Sequence, residues 1–97
     1  MRRETLQARI QDGETWRPIT VSGRQVCRTL RALIEAGAEG ITALELSSWA
    51  VRLAHYVFLL RHHGLNIVTE HEPHDGGFHG RYRLVSRVTL EAESDAL

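Results

Sequence analysis

Leu53-Ala54-His55-Tyr56-Val57-Phe58-Leu59-Leu60-Arg61-His62-His63-Gly64-Leu65-Asn66-Ile67 is the stretch that decides the fold, because its period changes in the middle. Before Gly64, and counting back to Trp49, the apolar residues recur at helical spacing. At 100° per residue, Ala50, Leu53, Ala54, Val57 and Leu60 gather on one side, which predicts an amphipathic helix over 49–63. Gly64 supplies the stop. From Leu65 to His71 the run is rich in β-formers, and the expected element is a strand.

Downstream, 72–79 reads as a loop holding Pro73, Gly76 and Gly77. The returning strand, 81–85, places Tyr82 and Leu84 on one face and Arg81 and Arg83 on the other. Upstream, Ser47 or Ser48 can cap the long helix. Thr42 with Glu45 makes a capping box for a short helix over 43–46. Two serines are a weak break, so an unbroken helix over 43–63 is the alternative. Gly40-Ile41 reads as a linker or one short strand contact. Before it, Ser22 with Gln25 predicts a capped helix ending at Gly37. Val26, Leu30, Leu33 and Ile34 form its inner stripe, with Cys27 at the edge and Arg24, Arg28, Arg31 and Glu35 outside.

Residues 1–21 read as a hairpin. Leu6, Ala8 and Ile10 alternate with polar residues, Asp12-Gly13 marks a turn, and Trp16, Ile19 and Val21 follow. Pro18 limits the second run to a sheet edge or a strand end. The reading divides the chain into an N-terminal hairpin (1–21), a helical domain with its β-hairpin (22–87) and an acidic, frayed tail (88–97). The expected core is Val26, Leu30, Leu33, Ile34, Leu44, Leu53, Ala54, Val57, Leu60, Ile67, Tyr82 and Leu84.

Ninety-seven residues hold one small core. One cysteine excludes a disulfide scaffold, and no apolar run reaches the roughly 18 residues of a membrane span. The polar start after Met1-Arg2-Arg3-Glu4 has no hydrophobic leader segment, which points to the cytoplasm and away from membranes. Twelve basic residues, all arginine, balance twelve acidic ones, so the net charge is zero. Glu91, Glu93 and Asp95 lie in the tail, so residues 1–90 carry twelve positive and nine negative charges, or +3. A neutral total therefore covers a mildly basic body.

Helix, short helix, turn, longer helix and β-hairpin is a layout that resembles a winged helix-turn-helix domain. Gly40-Ile41-Thr42-Ala43-Leu44-Glu45-Leu46 resembles the start of its second helix. The stretch from Leu53 to Ile67 resembles its third helix running through leucine-arginine and glycine into a strand. Gly80-Arg81-Tyr82-Arg83-Leu84 resembles its second wing strand. The chain is most similar to small stand-alone winged helix domains of proteobacterial and phage-derived genomes. The resemblance implies an α+β fold of three helices with a C-terminal β-hairpin wing, to which the N-terminal hairpin is an addition.

It also implies double-stranded DNA as partner and a role in transcription, with helix 49–63 in the major groove and the wing on the backbone. The outward face would carry Arg52, His55, Leu59 and His63, flanked by Tyr56 and His62. Arg52, with a planar fork matched to guanine, is the expected base reader. Ser47 and Ser48 would meet a phosphate, and Arg81, Arg83 and His79 or His74 would serve the wing. Arg24, Arg28 and Arg31 form a further candidate phosphate patch. Few basic contacts per copy favour a homodimer reading two half-sites. The competing expectation is a protein-interaction module using an exposed Tyr56 and Leu59. Arg61 projects toward the buried stripe and is expected to pair with an acidic neighbour or the helix's last carbonyls.

No other chemistry stands out. Six histidines invite a metal site, but they are dispersed, adjacent His62 and His63 diverge on a helix, and Cys27 is remote. No metal or other cofactor is expected. The histidines do gain charge on acidification, so anion or DNA binding is expected to strengthen between about pH 8 and about pH 6. Cys27 lacks a nucleophile's setting, and Asp12, Glu14, Glu35 and Glu39 lack an apolar one. An enzyme is not expected.

Overall fold

The computed structural model describes residues 3–46 and 48–94. Among these are five strands and two α-helices: β1 (Thr5–Asp12), β2 (Thr15–Ser22), α1 (Arg24–Ala36), α2 (Leu53–His62), β3 (Ile67–His74), β4 (Gly77–Leu84) and β5 (Val88–Ser94). The α+β mixture is as expected, but the count of elements differs.

The N-terminal hairpin forms with Asp12 paired to Thr15, so the two-residue turn is Gly13-Glu14, one position later than expected. Gly13 takes the positive φ, +67°, that such a turn demands. Leu6, Ala8 and Ile10 of β1 face inward with Ile19 and Val21 of β2, and all five are buried. The hairpin is therefore part of the core.

The expected frayed tail is corrected over 88–94. These residues form β5, which pairs antiparallel with β1 and completes a three-stranded sheet of order β2-β1-β5. Half-buried Val88 packs against the core, and Arg9 Nε meets Glu91 at 2.6 Å on the outer face. The acidic spacing hid a strand whose alternate residues, Val88 and Leu90, are apolar. Asp95 lies outside the described residues.

The Ser22–Gln25 capping box does not form. Ser22 is still in β2, paired to Thr5, and Gly23 at φ +104° takes the cap position without a side-chain hydrogen bond. The Gly23 carbonyl accepts from Cys27 N–H, which starts α1, and Gly37 ends it as expected.

The middle helix expected over 43–46 is absent. Its segment is a turn in which Glu45 N–H reaches both the carbonyl and Oγ1 of Thr42, each at 3.2 Å. Half of the capping box exists, but four residues are too few to repay helix nucleation. Leu44, expected in the core, is exposed. Just before the turn, Ile41 and Tyr82 exchange backbone hydrogen bonds of 2.9 and 2.8 Å. That bridge fits the expected short strand contact. Gly40 makes it possible: a Cβ there would lie 2.5 Å from the Tyr82 carbonyl oxygen.

The long helix is also shorter than expected. Ser48–Arg52 form a 3-10 segment with non-helical dihedrals at Ala50 (φ −94°, ψ 19°), and α2 starts only at Leu53. Ala50, Leu53, Val57 and Leu60 are buried as expected, whereas Ala54 is exposed. Ile34, Tyr82 and Leu84 are half-buried against the core.

The wing is longer than expected. The loop assigned to 72–79 is a continuation of both strands to a two-residue turn, Asp75-Gly76, with Gly76 at φ +86°. Asp-Gly is the favoured chemistry for such a turn. Pro73 fits because β3 is an edge strand.

Candidate nucleic-acid interface

The outward face of α2 is built by Leu53, Val57 and Leu60, which fix the opposite side in the core. His55, Phe58 and His62 then point to solvent, with Val51 preceding them in the 3-10 segment. Val51 is 80% exposed and Phe58 53%. The rings form a ladder: His55 and Phe58 lie near-parallel at 6.3 Å, and Phe58 meets the edge of His62 at 4.4 Å. His62 Nδ1 lies 2.9 Å from the Phe58 carbonyl, so that nitrogen carries the proton and donates.

Arg52 sits at the N-cap of α2, exposed. Ser48 is exposed at the start of the 3-10 segment, five positions before the helix's first residue. Ser47 lies outside the described residues. Tyr56 and Leu59 are half-buried and pack against the core, so they do not form the expected exposed pair. His63 caps the C-terminus, half-buried, and its carbonyl accepts from Arg17 Nη2 at 3.2 Å.

Sequence reasoning missed Phe58, and the reason is geometric. Counting the small Ala50 and Ala54 in the stripe turns the inferred face by about 30° from the one that Leu53, Val57 and Leu60 define. The large residues alone would have placed His55, Phe58 and His62 outward.

Arg81 and Arg83 face the same side of the wing, as expected, but both are engaged within the chain. Arg81 binds Glu72 through Nε, both carboxylate oxygens of Glu45 (3.2 and 2.9 Å) and the Glu39 carbonyl at 3.0 Å. Its hydrogen bonds hold the carboxyls of Glu45 and Glu72 below the usual carboxylate range, and those carboxylates raise the Arg81 guanidinium in turn. Arg83 donates to the Ala38 carbonyl at 2.7 Å and pairs with Glu70. His79 contacts Glu72 at 3.0 Å and His74 at 2.9 Å. Arg81 and Arg83 fasten the wing to the segment between the helices, and His79 ties its two strands together.

Arg61 is structural, though not through an acidic residue or its own helix's end. Its guanidinium binds the Ile67 carbonyl (2.6 and 3.1 Å) and Thr69 Oγ1, tying α2 to β3. The patch on α1 divides: Arg28 lies 4.2 Å over the Trp49 ring, Arg31 pairs with Glu4, and Arg24 stays exposed. Among the described residues no group of three metal-ligating side chains converges, and no helix is long and apolar enough to cross a membrane.

The family model described as a winged helix domain matches residues 18–94. The chain belongs to the winged helix family. The match runs from β2 through β5, so this winged helix includes the strand that the tail contributes. Comparison with curated proteins and with solved structures finds no match. Winged helices are in general DNA-binding modules of regulators, typically without enzymatic activity.

Proposed function

We propose that this winged helix protein binds double-stranded DNA and regulates transcription, with the outward face of α2 in the major groove. The observation that carries the reading is that face itself. Arg52, His55 and Phe58 are each exposed on the helix and its N-cap, the element that winged helices use for base reading. Arg52 reads guanine, and Phe58 offers an apolar contact for a thymine methyl group. His63 and His62 at the helix end face phosphate. Ser48 and the wing tip flank the groove, while Arg81, Arg83 and His79 act chiefly by holding the wing in place. One copy makes few ionic contacts, so two copies on two half-sites raise the affinity.

The test is fluorescence anisotropy of a labelled duplex at two low salt concentrations. Affinity falling with a log–log slope of about −3 to −5 is expected for several neutralised phosphates. Absence of binding at low salt removes the reading.

A second reading is favoured by one observation. Val51 and Phe58 expose more apolar surface than a groove needs, which suits a protein partner. Phe58→Asp then abolishes a complex seen by gel filtration, while Arg52→Ala leaves it intact.

A further inference from the structure

A groove of about 480 Å³ opens between the start of α1, the end of α2 and the N-terminal hairpin. Its lining includes Arg3, Thr20, Ser22, Val26, Leu59 and His63, with His62 beside them. Val26 is buried and Leu59 half-buried, so the floor is apolar, and the remaining side chains make a polar rim. Among the described residues the charge on that rim has one sign: Arg3 is exposed, with no ion pair or side-chain hydrogen bond, and no carboxylate lines the groove. The nearest acidic side chain in sequence, Glu4, is held by Arg31 at 3.1 Å.

We infer that this groove binds a small organic anion, an aromatic or other apolar body carrying one phosphate or carboxylate group. The body lies on Val26 and Leu59, and the head group meets Arg3, the hydroxyls of Thr20 and Ser22, and His62. The size is that of ordinary ligand sites, about 300–1,000 Å³. Neither half of such a ligand suffices: the floor is too small to hold a neutral ring firmly, and a bare anion leaves the apolar floor uncovered.

His62 Nδ1 donates to the Phe58 carbonyl, which fixes the ring on the rim of the groove. The inference does not rest on DNA binding.

Phenyl phosphate is the probe, titrated into the ¹⁵N-labelled full chain and followed by amide shifts. Saturable shifts are expected at Thr20, Ser22, Gly23, Val26, Leu59 and His63. Phenol and inorganic phosphate should each bind at least about tenfold more weakly. Arg3→Ala and His62→Gln, both at exposed positions and checked for a folded spectrum, should each weaken binding several-fold. No saturable shift up to about 5 mM phenyl phosphate overturns the inference. So does phenol binding as tightly as phenyl phosphate, or retention of full affinity in both variants. A short duplex that shifts these residues while phenyl phosphate does not would assign the groove to nucleic-acid phosphate and overturn it as well.

Discussion

Gly40 faces fixed backbone where a Cβ would go. Its φ is +69°, and the Tyr82 carbonyl occupies that space. Gly40→Ala combines a left-handed backbone with a direct clash, and should destabilise by about 2–3 kcal/mol in urea unfolding. Arg52 makes a contrasting case, because it is exposed and bonded to nothing else among the described residues. Arg52→Ala should leave the urea midpoint unchanged while weakening binding to a preferred duplex by about 1–3 kcal/mol, with relaxed specificity. Single residues were unevenly legible in the sequence. That Arg81 and Arg83 share a face follows from a period of two. That they bind Glu45 and backbone carbonyls of 38 and 39 does not, since those partners lie 36 to 45 positions away with no local pattern to announce them.

Among the elements, the wing should respond to acid in a defined direction. Glu45 and Glu72 are held below the ordinary carboxylate value by Arg81, so they stabilise the fold above about pH 4.3. That stabilisation is lost as pH falls through their lowered folded values. Amide shifts of Ile41, Gly80 and Tyr82 should move together in acid. In Arg81→Gln both carboxyls should titrate in the ordinary range, seen by side-chain carboxyl NMR. Helical elements were legible where large apolar residues repeat, as in α1 and the inner side of α2. Capping boxes were less reliable guides. Ser22 was already committed to a strand, and Thr42 formed its bond to Glu45 without enough chain behind it to continue a helix. The wing's length was hidden by Pro73 and the glycines, which read as loop although an edge strand and an Asp-Gly turn accommodate them.

For the molecule as a whole, the neutral charge count conceals how few cations are free to act. Arg9, Arg17, Arg28, Arg31, Arg61, Arg81 and Arg83 all have partners within the chain. Among the described residues this leaves Arg3, Arg24, Arg52 and Arg87, so the proposed DNA binding would be weak per copy and sensitive to salt. The division into hairpin, domain and tail was the least legible feature at this scale. Leu6, Ala8 and Ile10 share one apolar cluster with Leu30, Leu33, Val57 and Leu60, and β5 closes the sheet that holds them. Deleting residues 88–97 should uncover the edge of β1 and lower stability by about 2 kcal/mol or more, measured by urea unfolding.

The position of β1 between β2 and β5 also orders events in time. Its pairing with β2 closes a two-residue turn, while its contact with β5 joins side chains 82 positions apart, Arg9 and Glu91. Two local hairpins and two helices can assemble first, but the sheet is complete only when the most distant segment docks, and closing so long a loop is slow. Substitutions in β5 should then accelerate unfolding more than they retard folding. The rest of the chain would pass through a state in which one flank of β1 is open to any strand that reaches it before its own.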